Sequence, residues 1–167
     1  MRRLLASTAA VLMAAAPAMA GFGQWSVETE EDPFSGGKRV TVDYSSSIRS
    51  GVIIICDTSE AGLMVRAIPS YAFEPVLAGA TPEIEFAFDG KRLLGQSGET
   101  GAVGDNLAAS QTTLSKENSQ AFVEAFAAAK KQIAIKDGIS DRPHLLTARG
   151  STKAGAALVE CMRSQTP

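Results

Sequence analysis

The sequence predicts an α+β fold: a mainly antiparallel β-sheet or sandwich with two helices, the C-terminal helix disulfide-linked to a central strand. Three observations predict it. Short runs with an apolar/polar alternation of two recur along the chain, separated by Gly, Pro, Asp and Ser clusters. Two Ala-rich segments in the last third carry apolar residues at helical spacing instead. The chain has two cysteines, Cys56 in the most apolar β-branched run and Cys161 near the end.

Arg2 and Arg3, the apolar run Leu4 to Ala16 and the sequence Ala18-Met19-Ala20 have the order of a secretory signal peptide. The run is too short for a spanning helix of about 20 apolar residues. Residues 1–20 are therefore expected to be cleaved, leaving a single β-rich domain over 21–167 in a periplasm or outside the cell. Losing Arg2 and Arg3 takes the net charge from −2 to −4. The charges are scattered, without the basic stripe that phosphate contacts need, so nucleic acid is disfavoured as a partner. An exported chain with two cysteines is expected to oxidise them to one bridge. The loop so closed is about 105 residues.

Taken in order, Gln24 to Glu30 alternates as a half-buried strand around the single tryptophan, Trp25. A turn at Asp32-Pro33 and Ser35-Gly36-Gly37 leads to a second alternating strand, Lys38 to Tyr44. Val52 to Cys56 and Leu63 to Ile68 form a central hairpin. Ile53, Ile54 and Ile55 run without alternation, which predicts burial on both faces. Glu83 to Phe88 alternates cleanly, with Ile84, Phe86 and Phe88 inward. Asp89-Gly90 turns it into Lys91 to Gln96, placing Lys or Arg opposite Glu83 and Glu85. The Gly-rich stretch Gly98 to Asn106 reads as a loop or wide turn, and Leu107 to Thr113 as a further strand. Ser115 caps a helix expected over Lys116 to Lys131, with Glu117 and the two terminal lysines matching its dipole. Gln132 to Lys136 and His144 to Arg149 pair as strands, and Gly150-Ser151 opens the last helix, Thr152 to Arg163. The order is six or seven strands, a helix, two strands and a helix.

Little in the chain suggests chemistry. His144 is the only histidine, so a triad or a Cys-His pair would have to use it. A lone histidine on a strand is usually structural. Gly95-Gln96-Ser97-Gly98-Glu99 lacks the final glycine of a nucleophile elbow, and Ser35-Gly36-Gly37-Lys38 lacks a helix to align its Ser and Lys. Glu83 and Glu85 share one strand face at a spacing that a hydrolase could use; a solvated strand face is the plainer reading. Glu30-Glu31-Asp32 departs from a calcium loop, and no metal or cofactor motif is found. Trp25, Tyr71 and Phe73 are candidates to line a small-ligand pocket, although Trp25 also suits a core plug at a sheet edge.

Several short features occur together: Gln24-Trp25-Ser26-Val27, Val40-Thr41-Val42, Val52 to Cys56 followed by Leu63-Met64-Val65, and a Gly150-Ser151 helix ending in Cys161. In this the chain resembles small exported bacterial proteins described as type VI secretion-associated, VasI-like. It departs from them at Leu146-Thr147-Ala148-Arg149-Gly150, where a Phe-x-Leu-x-Gly pattern is expected. The resemblance implies a periplasmic β-rich domain and carries no catalytic residues. The expectation is a non-catalytic exported protein that binds another envelope or secreted protein, for example as an inhibitor. The alternatives are a small-ligand binder and an envelope hydrolase using Glu83 with Glu85, or His144 with a nearby acid.

Overall fold

Ten strands and two helices make up the computed structural model, which describes residues 22–165. The expected signal peptide lies outside those residues. The strands form two antiparallel sheets. The larger runs β1 (Ser26–Glu31), β2 (Lys38–Ser47), β3 (Ser50–Asp57), β4 (Leu63–Pro69), β8 (Leu107–Leu114), β7 (Glu99–Val103). The smaller runs β10 (His144–Thr147), β9 (Gln132–Lys136), β5 (Glu83–Phe88), β6 (Lys91–Ser97). Helices α1 (Lys116–Ala128) and α2 (Ser151–Arg163) pack on each other, and α2 also lies on β1, β2 and β3. The fold is thus α+β and sandwich-like, mostly antiparallel sheet, as the patterning predicts.

The core lies between these layers because each strand puts one alternating set inward. Val40, Val42 and Tyr44 meet Val52, Ile54 and Cys56, which meet Leu63, Val65 and Ala67. From the smaller sheet come Ile84, Phe86, Ile133, Ile135 and Leu146. Phe122 of α1 joins the halves, edge-on to Phe86 and Phe88 at 5.2 and 5.5 Å and stacked on Phe126 at 5.9 Å. Such aromatic pairs add to the burial of large apolar area.

Four sequence expectations need correction. Gly98 to Asn106 is not merely a loop: Glu99–Val103 is strand β7, paired with β8 from Glu99↔Gln111 to Val103↔Leu107. Only Gly104 to Asn106 turns, with Gly104 and Asn106 at positive φ. Pairing to an adjacent strand overrides weak local propensity. There are consequently eight strands before α1. The helix α1 ends at Ala128, not Lys131. Beyond it, the backbone N–H groups of Lys130, Lys131 and Gln132 donate to the Asp89 carboxylate at 2.7 to 2.9 Å. Those bonds hold the Asp89 carboxyl below its usual range and pull the chain out of the helix. Finally, Ile54 is buried, but Ile53 and Ile55 are only half-buried and point to the other face of the larger sheet.

Glycine matters most at Gly62, in the β3–β4 turn, where φ is 85° and an added Cβ would lie 2.0 Å from the carbonyl oxygen of Leu114. Gly62→Ala is expected to cost at least about 2 kcal/mol, since both the left-handed backbone and the contact oppose a side chain. A urea midpoint unchanged from wild type would contradict this packing.

Candidate functional site

Cys56 on β3 and Cys161 on α2 form the predicted disulfide, with Cα atoms 6.2 Å apart. Neither sulfur is free for nucleophilic chemistry. The bridge is enclosed: Cys56 is fully buried. Gln165 lies over it, donating to the Asp57 and Gly62 carbonyls at 3.1 and 2.7 Å and accepting from the Gly62 N–H at 3.2 Å. A bridge at this place fits an oxidising, non-cytoplasmic environment.

Glu83 and Glu85 lie on the outer face of β5, as alternation predicts. Arg92 on β6 reaches both, at 3.3 Å to Glu83 and 2.6 Å to Glu85, and Lys136 on β9 reaches Glu85 at 3.0 Å. Hydrogen bonds from Arg92 and then Lys136 hold the Glu85 carboxyl below its usual range. A carboxylate held ionised in this way is poorly suited to donate a proton as a general acid. The double substitution Glu83→Gln, Glu85→Gln is expected to leave the thermal midpoint close to wild type, because exposed ion pairs contribute little. A large drop in a melting scan would show that this cluster is structurally required.

His144 opens β10 and is nearly buried. Its Nε2 lies 3.0 Å from Oδ2 of Asp137, whose side chain is fully buried just after β9. The same carboxylate accepts from the backbone of Ile139 (3.0 Å) and Ser140 (2.8 Å) and from the Ser140 hydroxyl (2.7 Å). Burial pushes the Asp137 carboxyl up, but the bonds from His144, Ser140 and Ile139 outweigh burial and leave it lowered. This is not the order of a triad. Ser140 donates to the acid, not to the imidazole, so the serine–imidazole contact of a triad is not made. The arrangement pins the turn between β9 and β10.

That turn borders a hollow of about 460 Å³, lined by Tyr71, Arg142 and His144 among others. The Tyr71 hydroxyl donates to the Ile139 carbonyl at 2.7 Å, and burial followed by nearby Asp137 raises its pKa. The other two aromatic candidates lie elsewhere. Trp25 is buried against Tyr44 and Phe126, at 5.2 and 4.8 Å, and its indole N–H donates to the Thr147 carbonyl. Phe73 is half-buried, its backbone N–H bonded to Asn106. Neither lines the Tyr71 hollow. Among the described residues no cluster of three metal-type side chains occurs, and no helix is long and apolar enough to cross a membrane.

The remaining feature is a surface. Helix α2 and the core occupy one face of the larger sheet. The opposite face follows the strand register in rows. One row is Glu28, Thr41, Ile55, Met64 and Thr113. The next is Ser26, Asp43, Ile53, Arg66, Gln111 and Glu99. Ile68 follows beside Gly51. Ile53, Ile55, Met64 and Ile68 thus form an apolar stripe over β3 and β4, each half-buried by its neighbours. The alternation of Met64 and Ile68 around Arg66 is a sequence signal for it, masked when the isoleucine run is read as doubly buried. No family model, no curated protein and no solved structure matches the chain.

Proposed function

We propose that this protein is an exported, non-catalytic domain of the periplasm or extracellular space that binds another envelope or secreted protein. One observation carries the reading: the stripe of Ile53, Ile55, Met64 and Ile68 on a sheet face that no helix or second sheet covers among the described residues. The four side chains are half-buried, and contiguous apolar surface rimmed by polar residues is a common mark of protein interfaces. Of the side chains best suited to chemistry, the two cysteines are joined in the bridge, His144 and Asp137 hold the β9–β10 turn, and Glu83 and Glu85 are tied to Arg92 and Lys136. The resemblance to type VI secretion-associated proteins offers a setting for such a partner.

The test uses oxidised protein spanning 21–167 as bait in envelope and secreted extracts, beside the variant Ile55→Asp with a matching circular dichroism spectrum. The expected result is a saturable partner retained by the first and lost from the second. Retention indifferent to Ile55→Asp would overturn the reading, as would a turnover abolished by His144→Ala in a folded protein.

A further inference from the structure

The open face is asymmetric in charge as well as apolar. It carries the carboxylates of Glu28, Glu30, Asp43, Asp57 and Glu99 against the guanidiniums of Arg39 and Arg66, with a third, Arg49, in the β2–β3 turn at the Ile53 and Ile68 end. Asp57 is paired with Arg39 at 3.0 Å. Arg66 donates to the Gln111 side-chain oxygen at 2.6 and 2.8 Å, and Gln111 in turn donates to Glu99 at 2.6 Å. Asp43 accepts from the Ser26 hydroxyl. That leaves Glu28 and Glu30, both exposed on the edge strand β1, with no ion pair among the described residues. Glu31 alternates to the other face and is paired with Lys38 at 3.0 Å.

Resting on the protein-binding reading, we infer that the face takes a basic amphipathic segment of a partner protein. Its apolar side chains would lie on Ile53, Ile55, Met64 and Ile68, and its Lys or Arg residues would meet Glu28 and Glu30. Complementary charge beside an apolar centre selects partners and speeds their encounter. A second copy of this face brings the same acidic excess and is repelled. The acidic edge strand also discourages strand pairing between copies.

A random-peptide library displayed on phage, panned against the oxidised protein, tests this with the natural partner still unidentified. Enriched peptides are expected to combine apolar residues with Lys or Arg. Their affinity should fall about tenfold in Glu28→Lys/Glu30→Lys and weaken in high salt. It should vanish in Ile55→Asp and in Thr113→Arg, an exposed position beside Met64 that adds bulk without entering the core. Binders that are acidic, or that ignore the Glu28→Lys/Glu30→Lys change, overturn the inference while leaving the protein-binding reading standing. Binders that ignore both Ile55→Asp and Thr113→Arg overturn the face itself. An empty selection with folded bait overturns the inference. So does a dimer seen by sedimentation and abolished by Ile55→Asp, which assigns the face to a second copy.

Discussion

Removing the Cys56–Cys161 bridge is expected to destabilise the protein by about 2 to 5 kcal/mol. The bridge closes a loop of 105 residues. Chain entropy alone gives up to about 4.7 kcal/mol for a loop near 100 residues, and bridges often deliver less. The effect is also local. The link holds the end of α2 against β3, and Gln165, four residues beyond Cys161, ties that end to the β3–β4 turn. Without the bridge, α2 keeps Ala154 and Leu158 in the core but loses its covalent hold on the sheet. Guanidinium unfolding of wild type and Cys56→Ala/Cys161→Ala, each with and without reductant, measures the difference. Reductant should lower the wild-type midpoint to that of the double variant and leave the variant unmoved. A wild type insensitive to reductant under conditions shown to free both thiols would mean that the bridge carries little of the stability.

Asp137→Ala is expected to cost about 3 kcal/mol, since it leaves His144 and two backbone N–H groups without their buried acceptor. His144→Ala should cost less, because Asp137 keeps its bonds to Ser140 and Ile139. The pH dependence has a definite sign. The folded-state pKa of Asp137 is lowered below its ordinary value of 3.8. Its contribution is therefore fully present above the unfolded value and is lost as pH falls through the lower folded value. Wild type should lose stability below about pH 4 more steeply than Asp137→Asn, a tenfold difference in proton affinity between folded and unfolded chains being worth about 1.4 kcal/mol. Parallel acid-unfolding curves for the two proteins would remove Asp137 from the account. In the same experiment, movement of a proton resonance of His144 on Asp137→Asn would report the pair directly.

Much of the fold was legible in the residues alone because local physics wrote it there. Alternation placed Ile84, Phe86 and Phe88 inward and Glu83 and Glu85 outward. Asp89-Gly90 sits at φ of 49° and 82°, the backbone that a two-residue turn of this composition adopts. Ser115 caps α1 by accepting from the Asn118 N–H. Two cysteines, one in the central strand and one near the end of a chain expected to be exported, implied the staple. These features depend on neighbours a few residues away, or on there being a single possible pairing.

Tertiary structure decided what depends on which surfaces meet. A Gly-rich stretch became strand β7 because β8 presented unpaired backbone groups to it. Helix α1 stopped early because a carboxylate some forty residues upstream captured the N–H groups of Lys130, Lys131 and Gln132. His144 found a partner in Asp137 only through the fold of the intervening turn. The three isoleucines divided between core and open face for the same reason. A β-branched run says that a strand is apolar on both sides, but whether a second layer covers the far side depends on where the helices pack. Here both helices and the smaller sheet lie on one side, and that choice leaves Ile53 and Ile55 on the surface proposed to meet a partner.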